Sequence, residues 1–588
     1  MSAFLLLAKD QVSIVEPDIQ KVMSAKGFKN PLVVQFPEYQ VYQYNKINGS
    51  ESYYRLKDNH HFFFTGTAIY KNTDTVEKSL DTIVESVLNN EFNFNNIRGA
   101  FSILHVNPAG NFFILTDQAG ISNVYYNTAY TAFSNLFLVA IFATKGKLSL
   151  NKMAATEVII SGRQIGPDTL LNEIKRYEVF TDKKSIGPLS IINDAELISK
   201  VDPHPTGFEE QIKGQIEELD RYFNDIKAFA ENYGVDSGLT GGHDSRMMLI
   251  MLKRHLHNFS FHSLWRKKED VELSVAREVA KAANIELKVI PAKHHFDKSG
   301  DEMAVNLENA LLFYDGHIRM HCFLTEEYNT MHHRIDILGD KKIGINGIGG
   351  EQYRNEEHMQ TGSWPMRYFI RYFLGYHISG SSFTDKEFEE DYFKYLKNKI
   401  IKRLDLKVNQ ETISRYDVKR YMNEIYVSSL MGARTNAENQ LTHFITPYID
   451  RQLTRSAYKA VNYLGVSFNF QQAMIRKLSP ELAAIKTGYG YTFKEGEPFK
   501  KKIKYLLKEI TPRNLYQLKL NKAIDAKGND EFLRFLDQFP ILNISVEGLR
   551  KYNLPLNELR ITSCPDLMPV YLSLAFFLHY LKINNKVL

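Results

Sequence analysis

Gly238-Leu239-Thr240-Gly241-Gly242-His243-Asp244-Ser245-Arg246 stands near the middle of the 588-residue chain, between Tyr233-Gly234-Val235 and Met247-Met248-Leu249-Ile250-Met251-Leu252. The flanks read as a short apolar strand and as the buried face of a helix. Strand, Gly-rich turn and helix together aim backbone N–H groups and a helix N-terminus at one point, which makes an anion cradle. Gly241 and Gly242 let the backbone approach a phosphate where any Cβ would clash. Thr240 and Ser245 add hydroxyl donors, and Asp244 can hold a divalent metal that bridges phosphate oxygens. The spacing is not that of G-x-x-x-x-G-K-[ST], so this is no Walker A loop.

Downstream of Glu209, long amphipathic segments alternate with short β-branched ones. Phe259 to Trp265 reads as strand, Val271 to Asn284 as helix and Glu286 to Ile290 as strand. That alternation argues for a parallel sheet covered by helices, with ligands outside the carboxyl ends of the strands. The end of Phe259 to Trp265, at Ser263, is then expected beside the first loop, against adenine. Lys341 to Glu351 (KKIGINGIGGE) repeats the order of strand, glycines and carboxylate. Asn346 and Gly347 join the nucleotide site, and Glu351 is placed as a second metal ligand opposite Asp244. Two acidic ligands suit Mg²⁺, which keeps waters and substrate phosphates at its other positions. Ala484 to Gly490 carries Lys486 before a Gly-containing turn, where an ammonium aimed at the α-phosphate would stabilise developing charge. Beyond about residue 365 the strands are expected to disappear into a helical remainder.

Up to about residue 200 the chain reads as β-rich, with His61 to Thr65 and Asn111 to Thr116 as hairpin strands and Val76 to Asn89 as a helix. The boundary falls in Ser185 to Thr206, which holds Gly187, Pro188, Pro203 and Pro205, and gives domains 1–200 and 207–588. Leu567 to Leu578 reads as a core helix, and Lys500 to Lys508 as a solvated helix face. A formal net charge of +5 does not argue for nucleic acid. Cys322 and Cys564 are too few for a disulfide framework and fit a reducing compartment. No secretory signal or spanning segment is read, so the expectation is a cytoplasmic protein with no membrane partner.

Thr240 to Ser245 resembles the S-G-G-x-D-S pyrophosphate loop of ATP pyrophosphatases that release AMP. Over nearly the whole chain the sequence resembles the asparagine synthetase family. Arg98-Gly99-Ala100-Phe101, Thr116 to Gly120 with Val124-Tyr125-Tyr126, and Ser161-Gly162 through Ile174 are similar to segments of its glutaminase half. Asn346 to Glu351, Thr446-Pro447-Tyr448-Ile449-Asp450 and Ala484 to Tyr489 resemble its S-G-E-G-A-D, V-P-F-L-D and R-P-K-x-x-F segments. The resemblance implies α/β and α+β architecture: an Ntn-type αββα sandwich, then a doubly wound ATP pyrophosphatase domain with a helical C-terminal part. It also implies ATP and Mg²⁺ bound along Leu239 to Gly242, Asp244 and Ser245, with Lys486 as catalytic lysine.

Two departures redirect the expected function. The family's glutaminase uses an N-terminal cysteine, whereas this chain has Ser2, and Thr65 to Tyr70 replaces the N-G-E-I-Y-N segment that holds glutamine. The first domain is therefore expected to keep the fold without glutaminase activity. Ile348 stands where asparagine synthetases have glutamate and β-lactam synthetases tyrosine, and isoleucine takes no proton. His243, Tyr353, Asp315 and His317 are the candidate bases by nearness in sequence. The G-x-G-G-[DE] form of Gly347 to Glu351 is similar to the macrolactam cyclases of lasso peptides. The expected function is an AMP-forming ligase that adenylates a carboxylate and joins it to an amine, for example on a precursor peptide with a partner protease. The alternatives are an asparagine synthetase using ammonia or glutamine, and an inactive scaffold that binds a peptide or partner protein. Aromatics from Trp364 to His377 are candidates for substrate recognition or core.

Overall fold

The computed structural model describes residues 2–177, 207–265, 270–291, 298–318, 331–355, 362–374, 382–465, 468–510 and 529–587. The expected boundary at Ser185 to Thr206, and Cys322, lie outside the described residues. Strand periodicity builds the first part. Its larger sheet has six antiparallel strands in the spatial order Ile174–Arg176, Tyr125–Asn127, Ala132–Ser134, Ala3–Ala8, Tyr39–Tyr44 and Leu32–Gln35. A second antiparallel sheet orders Tyr54–Lys57, His60–Gly66, Phe101–Val106 and Phe112–Thr116.

Successive side chains of a strand go to opposite faces. Phe4, Leu6 and Val41 accordingly meet Phe63, Leu104 and Val106 in one core between the two sheets. Leu5, Leu7, Tyr42 and Tyr44 face the other way, against Val15, Ile19 and Val22 of helix Lys9–Ala25. Phe62, Phe64 and Ile103 pack on Leu80 and Ile83 of helix Val76–Leu88. The layers run helix, sheet, sheet, helix. Helix Val76–Leu88 begins where Thr75 caps it, its side chain accepting from the Lys78 N–H.

The later part contains five parallel strands in the order Leu287–Pro291, Phe259–Trp265, Val235–Gly238, Ile343–Ile345 and His443–Ile445. The first strand in sequence lies in the middle. The chain winds outward to one edge through helices His243–His255 and Val271–Ala282, then crosses to the other side. This is the order of a doubly wound sheet, and the direction reverses between Val235–Gly238 and Ile343–Ile345. His443–Ile445 corrects the expectation that strands end near residue 365: at three residues it is too short to show a period. Ser363–Pro365 and Thr412–Ser414 also pair. A second correction concerns Met247 to Leu252, which are buried all round rather than on one face. Helices Phe208–Tyr233 and Asn469–Leu478 cover the side away from the sheet.

Trp364 and Phe369 belong to the core, as do most residues of helix Met568–Ile583, which has Pro569 in its first turn. Among the described residues no helix is long and apolar enough to cross a membrane. Charged groups fasten the two parts together. Arg98 donates to Asp225 (2.6 Å) and to Gln452 (2.7 Å), and lies 3.7 Å from Asp450. Lys399 reaches the buried Glu157 at 2.7 Å. Lys26 pairs with Asp315 at 3.1 Å, and the same carboxylate takes the Phe137 and Leu138 N–H groups. Burial pushes the Lys26 ammonium down and the Asp315 carboxyl up, and each partner opposes that push. Asp315→Ala leaves a buried ammonium without its counter-charge. It is expected to destabilise the chain by about 3–5 kcal/mol, read from urea unfolding; a loss below about 1 kcal/mol would show that the pair does not hold the two parts together.

Candidate active site

The strand Val235–Gly238 delivers the turn Leu239 to Gly242, and helix His243–His255 starts with Gly242 as its N-cap. Leu239 N–H donates to the His262 carbonyl (2.7 Å), which anchors the turn to the neighbouring strand and places buried Ser263 one residue further along. Thr240 N–H donates to Ser245 Oγ (3.1 Å), the Thr240 and Ser245 hydroxyls lie 3.0 Å apart, and Gly242 N–H donates to Thr240 Oγ1 (3.2 Å). The two hydroxyls thus fix the shape of the turn. The first N–H groups of the helix, which have no partner within it, are left to face an anion.

A second segment is fastened to this turn from far along the chain. Gly488 N–H donates to the Gly241 carbonyl at 3.4 Å. A Cβ on Gly241 would lie 3.2 Å from Gly488 N and 3.3 Å from Val275 Cβ. Arg246 is fully buried and donates to the carbonyls of Leu482 and Ile485 (both 2.9 Å) and of Lys486 (3.2 Å). Its guanidinium centre lies 4.7 Å from the Phe493 ring centroid. The backbone of Lys486 is therefore held beside the first loop, while its side chain is exposed.

The third segment follows Ile343–Ile345. Ile348 N–H donates to Asn346 Oδ1 and Gly349 N–H to Glu351 Oε2, both at 3.1 Å. Gly349 has φ +93°, a left-handed conformation that favours glycine. A Cβ on Gly347 would stand 2.9 Å from Asp244 Cβ, and one on Gly350 only 2.0 Å from Asp244 Oδ1. The glycines are thus explained by the approach of Asp244. Between the two carboxylates lies a residue not singled out in the sequence: Arg354 Nη2 is 3.0 Å from Asp244 Oδ2 and 3.4 Å from Glu351 Oε1. Gln471 Nε2 donates to the other oxygen of Asp244 at 2.7 Å. The only sequence signal for Arg354 is its place three residues after Glu351 on a turn.

Two carboxylates that converge on one cationic nitrogen suit a metal ion as well. Among the described residues there is no group of three or more His, Cys, Asp or Glu that could hold a metal. A protein share of two oxygens matches a magnesium ion that arrives with phosphate ligands and retains waters.

None of the four candidate bases is brought to this centre in a form able to take a proton. His243 sits among Phe468, Tyr489 and Phe493, with ring centroids 5.0, 5.5 and 4.5 Å away. Burial, and then the charges of Arg354, Arg246 and Lys501, push its pKa down to about 2. Tyr353 is buried against Tyr448, and burial pushes its phenol up, so it stays protonated. Asp315 is taken up by Lys26 at the junction with the first part. His317 Nε2 lies 2.7 Å from Tyr125 Oη, and its ring stacks on Phe137. Ser2 is buried, and its hydroxyl donates to the Phe64 carbonyl at 2.8 Å.

No protein-family model matches the chain, and no curated protein matches it.

Should the site take MgATP, Gly350→Ala is expected to displace Asp244 and to weaken that binding by about tenfold or more in calorimetry, because the contact is with a carboxylate held by two partners. Unchanged affinity would mean that Asp244 need not stay where it is. His243→Phe fits the aromatic surroundings and should leave the pH profile of any nucleotide turnover in place; a shift of the profile would return His243 to proton transfer.

Proposed function

We propose that this chain is an AMP-forming carbon–nitrogen ligase, which adenylates a substrate carboxylate and passes the acyl group to an amine. What supports the reading is the meeting of Thr240 to Ser245, Asn346 to Glu351 and Leu482 to Lys486 at the reversal point of the parallel sheet. In an open sheet of this kind that crevice is where ligands bind. We read the second part as an ATP pyrophosphatase domain and the sandwich as Ntn-type, with its glutaminase chemistry lost.

The β- and γ-phosphates of ATP lie against the first loop, where backbone N–H groups and the helix N-terminus draw negative charge. Asp244 and Glu351 are the residues that would hold Mg²⁺, which supplies charge neutralisation for the leaving pyrophosphate. A carboxylate oxygen of the substrate attacks the α-phosphorus, and the bond to the pyrophosphate oxygen breaks. The amine then attacks the acyl carbon, and AMP leaves with the bridging oxygen. Lys486, extended from the anchored segment, offers its ammonium to the charge that develops in both steps. Holding acyl-adenylate and amine on one molecule, as in macrolactam formation on a precursor peptide, would give an effective molarity of about 10⁵ M or more.

Ile348 offers no proton acceptor, and burial beside three cations makes His243 too weak a base to hold a proton, so the amine has to arrive unprotonated. Below the amine's own pKa the rate is expected to rise about tenfold per pH unit. Asp244→Ala and Lys486→Ala should reduce substrate-dependent release of AMP and pyrophosphate to background. Wild-type turnover in either variant would reject the assignment. Ser2→Ala should leave turnover with an amine donor unchanged, and loss of activity there would point to an N-terminal nucleophile.

A further inference from the structure

Arg354 sits where the two carboxylates of the site meet. Its guanidinium is buried, and one nitrogen serves both Asp244 and Glu351. Its backbone is held as well: Lys419 Nζ donates to the Arg354 carbonyl (2.6 Å) and the Glu351 carbonyl (3.4 Å), and the side chain of the next residue, Asn355, donates through Nδ2 to the Gly465 carbonyl (2.8 Å). The guanidinium centre lies 5.6 Å from the Phe468 ring centroid. Asp244 is the second residue of the helix whose N-terminus forms the anion cradle. The guanidinium is therefore next to the place where phosphate oxygens are expected.

The guanidinium offsets part of the charge of the two carboxylates, which weakens their pull on a free divalent ion. A planar guanidinium with several N–H donors matches phosphate oxygens as well as it matches carboxylates. We propose that Arg354 is a positioning residue for the nucleotide site: it holds Asp244 and Glu351 together when no nucleotide is bound, and turns to the pyrophosphate oxygens when those carboxylates take the metal ion. The inference rests on the reading of Asp244 and Glu351 as metal carboxylates. The exchange makes metal and pyrophosphate bind as a pair and disfavours either one alone.

The test uses the full chain, manganese alone followed by electron paramagnetic resonance, and inorganic pyrophosphate followed by calorimetry. Arg354→Gln removes a competing cation and a phosphate donor, so manganese alone should bind about tenfold more tightly and pyrophosphate with Mg²⁺ about tenfold more weakly. Arg354→Lys keeps the charge and should stay near the wild type for manganese. Glu351→Gln, at a half-exposed position, frees the guanidinium from one of its carboxylates and should strengthen the binding of pyrophosphate without metal. Unchanged or weaker manganese binding in Arg354→Gln would overturn the proposal, as would pyrophosphate binding that Glu351→Gln leaves unaltered. These titrations need neither carboxylate nor amine substrate. A chain that formed no AMP with any substrate would refute the ligase reading and leave this result standing.

Discussion

The buried guanidinium of Arg246 is the interaction on which the rest of the site depends. Its contacts with Leu482, Ile485 and Lys486 are to backbone carbonyls, which accept from the two Nη atoms, while Nε makes no hydrogen bond to the described residues. Burial lowers its pKa to about 10, which still leaves it charged near neutral pH. A charged donor bonded to carbonyls is stronger than a neutral one, and an unmade bond at this depth would be costly. The glycine-rich loop and the lysine-bearing turn, 240 residues apart between Arg246 and Lys486, are thereby held as one unit.

Around that unit, steric closeness does what charge does inside it. Gly241 admits Gly488 and Val275, and Gly347 and Gly350 admit Asp244. The parallel sheet brings both loops to its reversal point, because Val235–Gly238 and Ile343–Ile345 are neighbours in register. The sandwich in turn braces the far edge of this arrangement. Arg98 binds Asp225 on one helix and Gln452 just beyond the fifth strand, so a residue of the first part steadies the segment Thr446 to Asp450.

Local chemistry made some of this legible in the sequence. The strand Phe259–Trp265 and the helix at Val76 follow from period and capping, which act over a few residues, and the glycine-rich turn follows from backbone freedom. The strand His443–Ile445 escaped notice because three residues carry no period. Arg354 and Gln471 escaped because their bonds to Asp244 span 110 and 227 residues, and no local rule relates such positions. The same limit misplaced Asp315 and His317. Both are near Glu351 in sequence, yet packing against Lys26, Phe137 and Tyr125 ties them to the sandwich. Nearness in sequence makes His243 a candidate base, but an aromatic enclosure beside three cations decides its charge instead.

On the function proposed, one centre built from three distant segments binds ATP by its pyrophosphate. A crystal structure with Mn²⁺ and a non-hydrolysable ATP analogue tests it most directly. The terminal phosphates are expected against Thr240 to Ser245, with an anomalous manganese signal between Asp244 and Glu351 and the α-phosphate on the side of Lys486. Nucleotide bound elsewhere, or manganese away from both carboxylates, would contradict it.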